Sequence, residues 1–523
     1  MTRRTAGAIG AGMAAARDAR PIRRRERIHV IGAGGAGASA AALLAHDAGA
    51  VVTGCDAAGG SPYSAAMESR GIVLVAGHDA AHVTSLRPER LAVTKALTAI
   101  DPDNPELVAA REAGVPIEPW QQVVADAAVG RLLIGVAGTH GKSTSAGWLV
   151  HVLVAAGADP SAFVGALLPA AITGGPPATA RTGAGDTFVV EADEYAGNFD
   201  PYRPAVAIVT SAEWDHPDVF ADRGAVVNAF ERWVRRMAAT DRTPPVAVVN
   251  VADEGAALLA GSLGDWDGGL VATALVDVPG QRLAGFARGI AEQYATRAGP
   301  AAVVLGRIVA ASAGGTTLEI HGIDPLRGAV TAALRTAGRH NAANALGVAA
   351  VAQVIGIEPD VISGGLAGFE GVGRRLERKG EASGIVVYDD YGHHPTAIHL
   401  TIAAVRQREP SRRIWAVYEP LTFHRTAALL DDFAAALAEA DAVAVADIWA
   451  GRDPDVTITS AGALADAVAR RRPGLVVDAP GSVEATASWL AGAVRPGDAV
   501  LVMGGGRSYR IGELLLEELA AHS

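Results

Sequence analysis

The sequence has 523 residues, half of them hydrophobic but only 5% aromatic, and a formal net charge of −11. At roughly 150 residues per domain, that length suggests about three or four domains, or fewer large ones. The acidic balance does not point to nucleic-acid or membrane binding, no run of about eighteen apolar residues offers a membrane span, and Cys55, the only cysteine, excludes an internal disulfide.

A cytoplasmic protein that binds neither nucleic acid nor membrane is therefore expected. Its cores must be built from Ala, Val, Leu and Ile, and alternating apolar strands with Ala-rich helices fit α/β architecture. Residues 1–26 are Ala/Gly-rich and run into "RPIRRRER" at 20–27. The Arg3-Arg4 pair resembles an export signal only weakly, because a dense basic run stands where a cleavage site belongs. A flexible tail is expected there.

From Arg27 the chain reads strand, glycine turn, helix. An apolar strand at 28–31 leads into Gly32, Gly34 and Gly37, a helix follows to about Ala48, and a second strand ends at Asp56. This is a G-x-G-x-x-G fingerprint with an acid 24 positions after its first glycine. Taken alone, it suits a dinucleotide. Further α/β units run to about Gly130, giving a first domain over 27–130.

The second domain, 131–371, opens on a strand at 131–137 followed by "GTHGKST". The usual phosphate loop reads G-x-x-x-x-G-K-[ST]. Here Val136 holds the slot of the first glycine, Gly135 lies one residue earlier, and Gly138 sits inside the loop. Gly138 and Gly141 let backbone N–H groups face an anion, with Thr139 and His140 between them. Lys142 then reaches phosphates, the Ser143 hydroxyl suits Mg2+, and Thr144 follows.

Strands are expected at 187–191, 205–210 and 245–249, a small side sheet over 269–321, and a helix over 339–355. Glu191, at a strand's carboxyl end, and "EWDH" with Glu213, Asp215 and His216 supply metal-binding groups. Read singly they are weaker. His216 is then a hydrogen-bonded loop histidine, Glu191 a cap or surface acid, and Cys55 a small buried residue.

The third domain, 372–523, alternates strands at 385–389, 413–418, 442–447, 475–478 and 498–503 with helices at 395–408, 424–438, 460–470, 482–493 and 510–521. That is a second doubly wound sheet.

Together "GTHGKST", "EADE" at 191–194, "DH" at 215–216, "GRHNAAN" at 338–344, "GVGRR" at 371–375 and "DDYGHHPT" at 389–396 resemble the Mur ligase family, in the family's order. The resemblance runs from about residue 27 to the end and includes the shifted glycine. It implies three domains: a Rossmann-like UDP-binding domain, a central P-loop ATPase-like domain with a mostly parallel sheet, and a Rossmann-like C-terminal domain.

"IGAGGAGAS", "GHDAAHV" at 77–83, "DPDNPELVAAREAGVPI" at 101–117 and the doubled histidine in "YGHHP" are nearest to members that join L-alanine to UDP-N-acetylmuramate in peptidoglycan precursor synthesis. The implied reaction is ATP-dependent, requires Mg2+ and passes through an acyl phosphate. The fingerprint, with Gly32, Gly34, Gly35, Gly37, Asp56 and His78, would hold the UDP part rather than NAD. Lys142 would contact ATP phosphates, Ser143 and Glu191 would bind Mg2+, and His216 would serve a second Mg2+. Asn341 and Asn344 would line the nucleotide from one helix face, and Arg375 and Asp390 would complete the site from the third domain.

Two segments depart from the family. After "RRIWAVYEP", Leu421 and Thr422 stand where His and Arg are usual, although His424, Arg425 and Thr426 follow. In "MGGGRSYRIG", Arg507 replaces an acid. Both lie where the incoming amine is selected, so attachment of a recycled murein peptide is the alternative reaction. An NAD-dependent reductase would explain Gly32 to Asp56 but not the phosphate loop. A non-ligating homologue would leave Lys142, Glu191 and His216 without a purpose.

Overall fold

The computed structural model describes residues 9–57, 59–240, 244–278, 280–451, 453 and 455–521. Three sheets organise the described residues. The first has five parallel strands in the order Val73–Ala76, Val51–Asp56, Arg27–Ile31, Arg90–Val93, Ile117–Pro119. The order reverses beside Arg27–Ile31, so a crevice opens at its carboxyl end, where the glycine turn lies. The helix Ala36–Asp47 buries eight small or apolar residues in a row. Gly37 lets it approach Trp120, whose ring would lie 2.2 Å from a Cβ there.

The N-terminal segment differs from the expected flexible tail. Residues 1–8, with the Arg3-Arg4 pair, lie outside the described residues, but Ile9 is buried and the segment after it is pinned by charge. Arg17 pairs with Glu118 at 2.9 Å and Asp126 at 2.8 Å, and Arg20 pairs with Glu26 at 2.6 Å. Buried Arg90 shares all three acids. Three buried carboxylates need several guanidinium groups: Arg17 and Arg90 serve Glu118 and Asp126, and Arg20 from the basic run joins Arg90 on Glu26.

The central sheet has ten strands. Its parallel core runs Gly269–Leu275, Val246–Asn250, Val206–Val209, Leu132–Ala137, Thr187–Glu191, Ser161–Leu168. The expected side sheet over 269–321 is not separate. Gly269–Leu275 and Ala302–Ser312 pair in parallel and extend the main sheet, Gly315–His321 and Ala329–Leu334 fold back antiparallel at that end, and Ala178–Arg181 is the antiparallel edge strand at the other end. Glycines near the turns made these pieces look independent, but the sheet is one hydrogen-bonded ladder.

The third sheet is ordered Glu377–Ala382, Ile385–Asp390, Asp498–Gly504, Arg413–Glu419, Ala442–Ala446, Val476–Gly481. Its first strand was not expected, because "ERKGEA" lacks apolar alternation. It forms an antiparallel ribbon with Ile385–Asp390 instead of a core strand. The helix expected over 424–438 is two, Phe423–Ala428 and Leu430–Leu437, divided at Leu429. Among the described residues no helix is long and apolar enough to cross a membrane.

Acid should loosen this structure. Burial alone would raise Glu26, but Arg20, the Arg23 N–H and Arg90 bring it down to about 2. Burial likewise opposes ionisation of Glu213, while His140, Thr396 and His394 bring it to about 2. Both carboxyls lie below their ordinary value when folded, so their stabilisation is complete above that value and is lost on acidification. The urea midpoint is expected to fall between about pH 5 and pH 2. A flat midpoint across that window would contradict these pairings.

Candidate active site

The shifted glycine of the phosphate loop has a physical reason. At Val136 the chain is still a buried strand, so no turn occurs there. The turn comes at Gly138, with φ 134°, where a Cβ would lie 2.1 Å from Thr210 Oγ1. Gly135 is a packing glycine against Trp233. Gly141, with φ 79°, starts the helix Lys142–Ala155, and a Cβ there would strike Asn344. Thr139 and His140 anchor the loop to the next strand end. The Thr139 hydroxyl donates to the Glu213 carbonyl at 3.1 Å, and the His140 N–H donates to Ser211 Oγ at 3.0 Å.

Lys142 lies in the curve of this loop. Its Nζ donates to the carbonyls of Gly138 at 2.6 Å and Thr139 at 3.3 Å, and to Glu194 at 3.1 Å. Burial pulls its pKa down, but Glu194, Asp193 and Glu191 outweigh burial and hold the ammonium charged. Burial pushes Glu194 up to about 7. The Ser143 hydroxyl donates to Glu191 at 3.0 Å, and the other Glu191 oxygen accepts the Gly165 N–H at 2.6 Å.

Arg375 crosses from the third domain and donates to Ser143 Oγ at 2.8 Å. Its placement is built into the linker. Phe369 stacks on Trp148 at 4.6 Å, Val372 fills the notch left by Gly147, and the Gly373 N–H donates to Leu167 O at 2.9 Å. Arg374 and Leu376 on either side take left-handed φ of 58° and 50°, a strained conformation held by its surroundings. Asp390 fixes the Leu376 side, accepting N–H bonds from Leu376 and Gly392, both at 2.7 Å. Among the described residues, Arg375 Nε is buried without a hydrogen-bond partner.

Asn341 and Asn344 are buried on one face of the helix Arg339–Val354. Asn344 Nδ2 donates to Asn341 Oδ1 at 3.4 Å, and Asn341 Nδ2 to Ala337 O at 2.7 Å. The phosphate loop, both asparagines, Glu191, His216, Arg375 and Asp390 all line one cavity of about 1010 Å³.

Of the six residues read as holding UDP, Gly37 lines this cavity. Gly32, with φ 77°, donates its N–H to Cys55 O, and Gly34 donates to Asp56 at 3.1 Å. Gly35 caps the helix Ala36–Asp47. His78 faces Glu106 at 3.1 Å and Cys55 at 3.5 Å, engaged by its own domain.

His216 takes a left-handed φ of 54°. Asp193, Glu194 and His216 offer ligand atoms within 4.8 Å of one another. Arg425 Nη2 lies 3.2 Å from His216 Nδ1. A guanidinium only donates, so Nδ1 accepts and the neutral ring carries its proton on Nε2. Metal ligation through Nε2 therefore requires Arg425 to release Nδ1. Of the paired histidines, His394 caps the helix Pro395–Arg408 by accepting the Thr396 N–H, and His393 Nδ1 lies 2.9 Å from Tyr391 O.

Sequence reasoning gave no role to several residues. Arg425 is buried and contacts Asp215 at 2.8 Å. Tyr391 stacks beneath Arg375 at 4.9 Å, and Glu194 is the counterion of Lys142. The signal for Glu194 is its place in "EADE"; Tyr391 depends on the turn that brings it under Arg375, and Arg425 on a contact with the central domain. The departing residues separate in space. Leu421 and Thr422 line the cavity, whereas Arg507 turns outward to Glu484 at 2.9 Å, both exposed.

A phosphate loop joined by an arginine from another domain, with carboxylates behind its lysine and serine, defines a nucleotide-dependent enzyme whose site is assembled between α/β domains. The family model described as "Mur ligase family, catalytic domain" matches residues 27–131, and "Mur ligase, glutamate ligase domain" matches 374–506. A UDP-N-acetylmuramate–L-alanine ligase of Mycobacterium sp. strain JLS is 36% identical, over 95% of this chain and 96% of that protein. One of Kineococcus radiotolerans is 38% identical, over 95% and 97%. The chain belongs to the Mur ligase family. Its fold is that of the UDP-N-acetylmuramate–alanine ligase of Thermotoga maritima, with a TM-score of 0.74 at 22% identity over 95% of this chain and 100% of that one. A murein peptide ligase of Psychrobacter arcticus gives 0.68 at 23% identity, over 94% and 98%.

Proposed function

We propose that this chain joins L-alanine to UDP-N-acetylmuramate, consuming ATP, through an acyl phosphate. The observation that carries the reading is the bond from Arg375 to Ser143, which links the third domain to the phosphate loop. The full-length similarity to ligases named for that reaction supports the substrates. Domain limits near 130 and 371 fit the sheets and the anchored linker.

Lys142 neutralises charge on the transferring phosphoryl group, and Arg375 Nε donates to one of its oxygens. Ser143 and Glu191 present oxygen ligands 3.0 Å apart, a donor set suited to Mg2+, and Asp193, Glu194 and His216 offer a second position. Mg2+ held there adds charge neutralisation. The substrate carboxylate attacks the γ-phosphorus and ADP leaves. The amine then attacks the acyl carbon and phosphate leaves. Asn341 and Asn344 line the nucleotide, Asp390 positions Arg375, and the glycine turn with Asp56 and His78 serves the UDP end. No side-chain nucleophile is needed, so orientation and charge carry the rate.

The test is phosphate release from ATP with Mg2+ and UDP-N-acetylmuramate, with L-alanine, glycine, L-serine or the L-Ala-γ-D-Glu-diamino-acid tripeptide added separately. Release dependent on L-alanine supports the reading, and release only with the tripeptide overturns it.

Gly34→Val tests the division of labour. A Cβ at Gly34 would lie 2.8 Å from the Asp56 carboxylate, so the glycine turn must move. KM for the UDP-sugar is expected to rise about tenfold or more, with KM for ATP nearly unchanged. Equal losses of both would contradict the assignment.

A further inference from the structure

Beside the glycine turn, four side chains from four elements converge. His29 comes from Arg27–Ile31, Cys55 from Val51–Asp56, His82 from the helix Ala81–Thr84, and Glu106 from the helix Pro105–Ala113. One ligand atom from each lies within 4.8 Å of all the others. We propose that His29, Cys55, His82 and Glu106 form a structural zinc site that braces the first domain.

The spacing fits. Glu106 oxygens lie 3.1 Å from Cys55 Sγ, 3.1 Å from His29 Nε2 and 3.1 Å from His82 Nδ1. A tetrahedron with bonds of about 2.0–2.3 Å has edges of roughly 3.3–3.8 Å, so small outward shifts admit the ion. One thiolate, two imidazoles and one carboxylate are a donor set that selects zinc over Mg2+. The charges also close: a divalent cation, a thiolate and a carboxylate sum to zero in a site where His29, Cys55 and Glu106 are buried. The thiol proton leaves to solvent as the Zn–S bond forms.

Hydrogen bonding within the cluster is overcrowded without an ion. Glu106 Oε1 lies 3.1 Å from each of Cys55 Sγ, His78 Nδ1 and His82 Nδ1, and 3.3 Å from the Asp79 N–H. One carboxylate oxygen has only about two lone pairs for these contacts. The surroundings already orient a ligand: Thr53 Oγ1 lies 2.8 Å from His29 Nδ1, which leaves Nε2 to face the ion. The Cys55 carbonyl accepts the N–H groups of Gly32 and Ala33 at 2.9 and 3.0 Å, so the ion would stiffen the glycine turn. Only this last consequence rests on the UDP reading.

The chain's single cysteine makes the test specific. Reduced full-length protein is titrated with Co2+, and thiolate-to-cobalt charge-transfer absorption is followed, a signal no carboxylate–histidine site can give. Absorption saturating at about one ion per chain, with tetrahedral visible bands, is expected. Cys55→Ser should abolish it, His82→Ala should weaken Co2+ binding tenfold or more, and Zn2+ should displace cobalt and raise Tm in the wild type but not in Cys55→Ser. Cooperative unfolding without any charge-transfer band in the wild type overturns the proposal. So does a band unchanged in His82→Ala, which would be a lone thiolate. The readout uses no substrate, so it stands or falls apart from the ligase reading.

Discussion

Lys142→Ala is expected to lower ATP-dependent amide formation by about 10²–10³-fold, with the fold intact. Removing one preorganised charge partner of a transition state costs about 10²–10³ in rate, and Lys142 is the cation placed within the phosphate loop itself. Its contacts are a carboxylate and two loop carbonyls, which under the proposed mechanism the ammonium would exchange for phosphate oxygens as the nucleotide seats. The fold survives because the counterion can adjust. Glu194 already stands at about 7 through burial, so with the lysine gone it takes a proton instead of remaining a buried anion. Initial rates and a thermal midpoint on the same preparation check both halves. A rate within tenfold of the wild type would remove Lys142 from the chemistry.

Much of this site could be read in the sequence because its parts are local. The phosphate loop needs one strand, one turn and one helix start, and those fall within a dozen residues. The same holds for the Glu191 strand end and for the asparagine pair, spaced to share a helix face. What could not be read depends on groups far apart in the chain. Arg17 and Arg20 lie in a segment whose composition suggests a flexible tail, but buried Glu26, Glu118 and Asp126 claim them. The polar strand Glu377–Ala382 exists because Ile385–Asp390 has an unpaired edge, not because of its own pattern. Arg507 looked like a changed acceptor contact, yet it faces Glu484 at the surface, whereas Leu421 faces the cavity. The two departures from the family therefore do not weigh equally on the acceptor.

Arg425 is the residue in the departing segment whose loss should be felt most widely. Thr422, with φ 66°, caps the helix Phe423–Ala428, accepts the Arg425 N–H and thereby aims the guanidinium inward. There Arg425 Nε donates to Asp215 Oδ1 at 2.9 Å, while Nη2 lies 2.8 Å from the same oxygen and donates to His216 Nδ1 at 3.2 Å. Burial would raise the Asp215 carboxyl, but Arg425 holds it well below the usual range.

Arg425→Ala leaves that carboxylate buried and unpaired, which costs about 3–5 kcal/mol. It also removes the donor that faces His216 Nδ1, and with it a contact that orients the ring. Arg425→Lys keeps the charge but not the fork, so it should recover most of the stability while kcat/KM stays about 10²-fold down. Pairing Arg425→Ala with Asp215→Asn removes the orphaned charge, and the same split is expected: restored Tm, unrestored rate. A lysine variant with near-normal kcat/KM would mean that charge alone is required and that the orientation of His216 is set by something other than Arg425.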